Sequence, residues 1–242
     1  MSLISFLEII GVIAAAISGA LVAVKANLDI FGVVFIGAIT AVGGGLTRDL
    51  LIGATPPAIF SNLHLLFIAM TTALIVFTVA YVASKKFEVI RQKISVINNI
   101  FDAIGLASFT VIGLDVAFLS GLSHNPFLTV TLGMITGVGG GIFRDILTAT
   151  TPYIFKKHVY ALASIGGGIV YYILRMYTDY PQLAALTSIA FIFLIRMLAT
   201  KYRWELPKVH LADDGQKLLP FQKESKQIEQ QLEIAITNTD KK

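Results

Sequence analysis

The amino-acid sequence predicts an all-α integral membrane protein whose seven transmembrane helices form two inverted three-helix repeats plus a seventh helix. The first observation is composition. Of the 242 residues 55% are hydrophobic and 14% are charged, with a mean hydropathy of +0.77, and soluble domains carry more charge than this. The second is a set of seven long apolar runs, and the third is a glycine-rich string that occurs twice.

The helices are predicted from apolar runs of roughly 20 residues, the length that crosses a bilayer. These runs cover residues 3–24, 28–53, 63–84, 99–120, 127–149, 158–178 and 182–200. The first run lacks a basic n-region and carries Glu8, so it is interpreted as a helix, with a cleaved signal peptide as the alternative.

The spans divide the chain into a transmembrane domain and a polar tail. The transmembrane domain covers residues 1–200 and consists of repeat one (3–84), repeat two (99–178) and the seventh helix (182–200). Fifteen of the 34 charged side chains lie in residues 201–242. This segment is therefore predicted to be a polar cytoplasmic tail, either mobile or containing a short amphipathic helix around Ile228–Ile236.

Basic residues predict the orientation. If the N-terminus is outside, almost all basic residues that flank the spans fall on the inner side, as the positive-inside rule requires. They are Lys25, Lys85, Lys86, Arg91, Lys93, Lys156, Lys157, Lys201 and Arg203, whereas Arg175 is the outer exception. The prediction is a multi-pass membrane protein with its N-terminus outside and its C-terminus in the cytoplasm.

An internal repeat relates the spans. TAVGGGLTRDLLIG at residues 40–53 matches TGVGGGIFRDILTA at 136–149 with an offset of 96. Upstream the offset is 94, which aligns Glu8 with Asp102 and Gly19 with Gly113. Because each copy has three spans, an odd number, the second copy must enter the membrane from the opposite face. Inverted repeats of this kind recur in transport proteins.

The repeated glycine triplets are the first candidate site. Each glycine disfavours a helix by roughly 1 kcal/mol relative to alanine, so the triplets are expected to kink or unwind their helices beside a water-filled cavity. Freed carbonyl oxygens could then bind a cation or a polar solute. Close helix packing, which small residues allow, is the alternative role of the glycines. The candidate pathway residues are Gly43, Gly44, Gly45, Gly139, Gly140 and Gly141, together with Thr40 and Thr136 one turn earlier. The threonines either line the path or bond their own backbone.

Charged residues within the spans form the second candidate site. Arginine in a bilayer is costly and needs a partner. Successive helical residues diverge by about 100°, so Arg48 and Arg144 are expected to pair poorly with the adjacent Asp49 and Asp145. The repeat instead predicts two pairs, Glu8–Arg48 toward the outer mouth and Asp102–Arg144 toward the inner mouth.

Two further charges have no counterpart in the repeat. Asp115 aligns with Leu21, and it either attracts cations at the outer end or is an interface residue. Arg196 near the inner end of the last span is expected to snorkel to the interface and is assigned no function. The sequence has no cysteine and four scattered histidines, so no tight metal site is predicted.

The doubled V-G-G-G-x-x-R-D string, in the second helix of two three-span copies followed by a seventh span, resembles the prokaryotic trimeric intracellular cation channels. The resemblance covers residues 3–200. It implies a homotrimer in a bacterial or archaeal inner membrane. Each subunit would have a pore between its second and fifth spans that passes mainly potassium and sodium, with transient K⁺ or Na⁺ near both triplets. Related bacterial sequences are often labelled glycine transporters.

The sequence is therefore compatible with two functions. The first is a monovalent cation channel, and the alternative is a secondary transporter for a small zwitterion such as glycine. An enzyme is not predicted, since the chain has no cysteine, no clustered histidines and no Gly-x-Ser-x-Gly string. No nucleic-acid partner and no cofactor are predicted beyond the permeant ions and bound membrane lipid.

Overall fold

The computed structural model describes residues 2–156 and 159–204, with the side chains of 84–93 and 156 left undescribed. Seven helices in this part of the chain are long and apolar enough to cross a membrane, which confirms the predicted fold class. The spanning helices are α1 (Leu3–Lys25), α2 (Ile30–Leu51), α4 (Leu63–Val82), α5 (Ser84–Leu119), α6 (Pro126–Leu147), α8 (Val159–Tyr177) and α9 (Pro181–Lys201). Two one-turn helices, α3 (Ala58–Ser61) and α7 (Tyr153–Lys156), follow α2 and α6.

The two glycine-containing helices begin at side-chain caps. Asp29 accepts a hydrogen bond from the backbone N–H of Gly32 at 2.7 Å, and Asn125 accepts one from Leu128 at 3.0 Å. Such caps satisfy backbone donors that have no partner within the helix. Proline also occupies the first position of α6, where its missing N–H costs nothing. Local sequence thus fixes where both helices start.

Helix α5 is longer than the span predicted at residues 99–120. It contains 36 residues and begins at Ser84, which corresponds to about 54 Å at 1.5 Å per residue. The apolar span within it is Ile94–Leu119. Hydropathy identifies the part that fits in lipid, but it cannot reveal a helix that continues beyond the bilayer. The predicted loop before the fourth span is therefore helical.

The two repeats pack in the same way. Gly19 of α1 lies against Thr40 and Gly37 of α2, and Gly113 of α5 lies correspondingly against Thr136 of α6. The offsets of 94 and 96 found in the sequence relate these contacts. Since the first copy has three spans, α5 starts at the face where α1 ends. We call the face at which α1 begins the outer end and the opposite face the inner end.

The centre of the bundle is formed by contacts between the repeats. Helix α1 packs against α5, and α2 packs against α6, while α4 and α8 lie against the helices of their own repeat. The seventh span, α9, packs against α8 and α5. It therefore packs mainly on the second repeat. Residues 205–242, which include almost all of the predicted tail, lie outside the described residues.

Candidate functional site

The glycine triplets do not interrupt their helices. Helix α2 is continuous α-helix through Gly43–Gly45, and α6 is continuous through Gly139–Gly141. The predicted unwinding and the freed carbonyl oxygens are therefore wrong for this structure. The cost of glycine in a helix is offset here by packing, because small residues let transmembrane helices approach closely.

The middle glycine of each triplet lies where α2 and α6 cross. A Cβ atom on Gly44 would overlap the carbonyl oxygen of Thr136, and one on Gly140 would overlap the carbonyl oxygen of Thr40. Gly139 also approaches Gly44, with its ideal Cβ position 3.0 Å from the Gly44 Cα. The two helices touch backbone to backbone at this level. The predicted space between them is closed here.

A cavity of about 60 Å³ opens beside this crossing toward the outer end. Its ionisable lining consists of Glu8, Arg48 and Asp49, and the last glycine of the first triplet, Gly45, borders it. A space of this size holds several waters, since one water needs roughly 10–15 Å³. α1, α2, α4 and α5 all contribute residues, and so do α3 and α6 through Ala58 and Thr136.

At the outer end the adjacent Arg48 and Asp49 are paired, contrary to expectation. Arg48 donates from Nε and Nη2 to the same oxygen, Oδ1 of Asp49, at 2.9 and 2.7 Å. The arginine side chain is long enough to bend back across the 100° between successive residues. Glu8 lies at the same cavity as Arg48, but the ion pair of Arg48 in the described part of the chain is with Asp49. The predicted direct Glu8–Arg48 pair is wrong.

At the inner end the structure brings Asp102 and Arg144 together. Nη1 of Arg144 donates to Asp102 at 2.7 Å and to the Ser18 hydroxyl at 2.7 Å. Its Nε donates to Asp145 at 2.8 Å, so the adjacent pair forms here as well. The side chain of Arg144 is fully buried. Four buried polar groups thus hold one another where lipid or protein excludes water.

Each aspartate of the Arg-Asp strings also fixes the turn that follows its helix. The second oxygen of Asp49 accepts the backbone N–H of Ala58 at 2.9 Å, and that of Asp145 accepts the N–H of Tyr153 at 2.8 Å. The string therefore joins the end of each glycine helix to the short helix after it. Burial raises the pKa of Tyr153, so its hydroxyl stays neutral.

Arg196 belongs to the inner cluster and does not snorkel to the interface. The residue is 1% exposed. Its Nη2 donates to Asn99 at 2.8 Å and lies 3.5 Å from Oδ2 of Asp102, and its guanidinium lies 4.7 Å from the ring centre of Tyr160. Sequence reasoning missed this residue. The signal that identifies it is an ionisable group inside an apolar span, which usually faces the bundle interior.

The remaining predicted residues are placed as follows. Thr40 and Thr136 donate to the carbonyls of Ile36 and Leu132 within their own helices, at 2.5 and 2.7 Å. Both threonines therefore bond their own backbone, the second of the two roles predicted for them, although Thr136 also borders the outer cavity. Asp115 accepts a hydrogen bond from the Tyr171 hydroxyl at 2.9 Å, and it is not among the residues that line that cavity.

Comparison with known proteins places these features in a family. The family described as "Glycine transporter" matches residues 5–81 and 99–176, one match for each repeat. The UPF0126 inner membrane protein YadS of Escherichia coli strain K12 is 36% identical over 214 residues, which cover 88% of this chain and 99% of that protein.

Solved structures share the fold. A chain from a study of the structural basis for conductance through TRIC cation channels is 33% identical with a TM-score of 0.74, covering 87% of this chain and 98% of that one. The TRIC trimeric intracellular cation channel orthologue from Rhodobacter sphaeroides is 28% identical with a TM-score of 0.75, covering 84% and 100%.

Proposed function

Because this chain belongs to the family described as "Glycine transporter" and has the fold of the TRIC cation channels, we propose that it is a channel for monovalent cations such as potassium and sodium. The observation that carries the proposal is the outer cavity. Its three ionisable residues, Glu8, Arg48 and Asp49, formally sum to one negative charge. Since Arg48 is already paired with Asp49, the carboxylate of Glu8 remains to attract a cation.

The proposed pathway runs from the outer cavity past the α2–α6 crossing to the inner Arg144 cluster. The conformation described here is closed at the crossing, where Gly44 and Gly140 contact the opposite backbone. Opening requires the two helices to separate there. Glycine suits such a movement, because a backbone contact without side chains can part without repacking. The triplets thus act as a movable contact in this proposal, rather than as ion ligands.

We further propose a homotrimer with one pathway in each subunit, oriented with the N-terminus outside and the C-terminus in the cytoplasm. The similar protein from Rhodobacter sphaeroides is a trimeric intracellular cation channel orthologue, which supports the assembly. The basic residues that flank the inner ends of the spans support the orientation.

A carrier for a small zwitterion is the second candidate. Glu8 and Arg48 border one cavity, and their opposite charges match the ammonium and carboxylate groups of an amino acid such as glycine. A carrier would hold its solute there and alternate between the two ends. In that case the outer cavity is a binding site instead of a vestibule.

The purified protein in planar bilayers and in proteoliposomes distinguishes the two candidates. The channel proposal expects discrete unitary currents in KCl that persist in the absence of any amino acid. The carrier expects saturable uptake of glycine without unitary currents. Saturable uptake in a preparation that never shows a unitary current would overturn the channel proposal.

A further inference from the structure

The two ends of the proposed pathway are related by the repeat, but the residues that the structure describes fill them differently. At the outer end, the one side-chain or backbone atom near an ideal Cβ on Gly45 is Nη2 of Arg48 at 3.7 Å. At the inner end, the equivalent position on Gly141 lies 3.2 Å from the Tyr160 hydroxyl. The space beside the last glycine of the triplet is therefore a cavity in the first repeat, whereas side chains fill it in the second.

Larger residues occupy the inner positions. The backbone N–H bonds to Asp49 and Asp145 make Ala58 and Tyr153 equivalent. Seven residues after each come Leu65, which borders the outer cavity, and Tyr160. Two tyrosines thus replace an alanine and a leucine. The ring of Tyr153 lies 5.3 Å from the guanidinium of Arg144, which places it inside the cluster.

The third filling group comes from outside the repeat. Arg196 belongs to α9, which has no counterpart in the first copy, and its guanidinium lies between Tyr160 and Asp102. It also changes the charge. Asp102, Asp145 and Arg144 formally sum to one negative charge, as their outer equivalents do, and Arg196 brings this sum to zero. The inner end thus contains a cationic side chain from α9, a helix that has no counterpart in the first repeat.

This cluster is incompletely hydrogen-bonded. Oδ2 of Asp102, Nε of Arg196 and Nη2 of Arg144 are buried without a hydrogen-bond partner. A buried polar network that is only partly satisfied is held less firmly than a complete one. The contacts of Arg196 are one hydrogen bond, one 3.5 Å ion pair and one ring face. When Arg196 moves away, water or a permeant cation that enters from the inner face can bind the groups that Arg196 leaves, which include Asp102 and Asn99.

We propose that the seventh helix closes the inner end of the pathway, with Arg196 as a resident cation that must leave Asp102 before a permeant cation can enter. This inference rests on the proposed transport pathway. It assigns α9 a gating role at one end only, so the two ends of an otherwise symmetric unit open under different control. Tyr160 supports the closed position by stacking on the guanidinium.

The absence of cysteine from the chain allows the closure to be tested by thiol labelling. Ser18→Cys places a thiol beside Arg144 at the inner end, and the symmetry-equivalent Ile112→Cys places one at the outer cavity. A small cationic reagent that does not cross the bilayer, trimethylammonioethyl methanethiosulfonate, is added to vesicles at the inner or the outer face. With Arg196 intact, we expect Ile112→Cys to react from the outer face and Ser18→Cys to react slowly from the inner face.

Two substitutions of Arg196 separate its charge from its bulk. Arg196→Met keeps much of the volume and removes the charge, and we expect it to raise the labelling rate of Ser18→Cys at least about tenfold, since a buried thiol reacts only through local opening. Arg196→Lys keeps the charge and should leave the rate near that of the parent. Tyr160→Leu, which installs the residue found at the outer end, should also raise the rate if the Arg196 variants do not fold.

The outer reporter is the control, because its rate must stay unchanged in a folded variant. Rapid labelling of Ser18→Cys with Arg196 present overturns the closure, and so does an unchanged rate in Arg196→Met or Tyr160→Leu. Labelling requires no current. If unitary currents are seen but the Arg196 variants do not change the labelling rate, only the gating proposal is rejected. If the variants increase labelling but no unitary current is seen, the channel proposal is rejected, and Arg196 closes the inner end of a carrier instead.

Discussion

At the scale of single residues, the three glycines of a triplet have different roles although they are adjacent. Gly44 and Gly140 each meet a carbonyl oxygen of the opposite helix, whereas Gly45 faces the cavity with one arginine nitrogen nearby. Position along the helix decides this, because successive residues point about 100° apart. One glycine is needed for close approach and its neighbour is not.

Alanine substitutions test this difference. Gly44→Ala inserts a methyl group against the Thr136 backbone, which cannot rotate away, so we expect a loss of about 1–3 kcal/mol or more in the free energy of unfolding. Gly45→Ala is the matched control and should be neutral or stabilising by up to about 1 kcal/mol, from helix propensity. Thermal denaturation in detergent measures both. Equal destabilisation would mean that close packing at the crossing is not what Gly44 provides.

The two arginines of the strings also differ. Arg144 is fully buried and bonds Asp102, Asp145 and Ser18, whereas the side chain of Arg48 is 9% exposed at the cavity. Arg144→Met leaves the buried Asp145 without its ion-pair partner and Asp102 with only the 3.5 Å contact to Arg196, and it should cost about 3–5 kcal/mol. Arg48→Met should cost clearly less, because water in the cavity can solvate Asp49. Denaturation midpoints compare the pair, and a larger loss in Arg48→Met would contradict the assigned burial.

At the scale of helices, Asp49 and Asp145 connect each glycine helix to the short helix after it. We expect Asp145→Ala to speed hydrogen exchange at the Tyr153 amide, which loses its acceptor. The Gly32 amide, capped independently by Asp29, is the internal reference and should not change. Unaltered exchange at Tyr153 would show that the short helix is held by its other contacts.

How far the sequence predicts these elements depends on which interaction decides each one. All seven spans follow from apolar length, because hydrocarbon thickness sets a simple threshold. The breaks expected at the triplets were wrong, since helix propensity is a weak local preference that tertiary packing overrides. The adjacent Arg–Asp pairs were missed for a similar reason. Periodicity gives the direction of a Cβ, but a long side chain can bend back toward a neighbour.

At the scale of the whole molecule, the sequence predicts the inverted repeat but not its asymmetry. An odd number of spans in each copy requires opposite insertion. The filling of the inner end depends on where α9 packs, and no pattern in α9 reveals that Arg196 reaches Asp102. Alignment finds what the copies share. The difference between the two ends arises from the tyrosines of the second copy and from the helix that the copies do not share.

Opposite insertion can be measured directly with one pair of thiols. Ala54 and Thr150 are exposed, and each donates its backbone N–H to the carbonyl of the aspartate in its string, Asp49 or Asp145. We expect Ala54→Cys to react with an impermeant thiol reagent from the outer face alone, and Thr150→Cys from the inner face alone. Because the chain has no other cysteine, labelling of both from one face would contradict the inverted architecture.

The central claim is that cations cross through the cavity whose accessible carboxylate is Glu8, and single-channel conductance tests it most directly. Glu8→Gln removes the charge at nearly constant size, so we expect a lower unitary conductance for K⁺ entering from the outer face, with the effect shrinking at high salt as screening increases. Asp29→Asn is the matched control, because asparagine caps a helix as well as aspartate and residue 29 is not among those lining the cavity. A reduced conductance in Glu8→Gln alone supports the account, and equal conductance in Glu8→Gln, Asp29→Asn and the unaltered protein contradicts it.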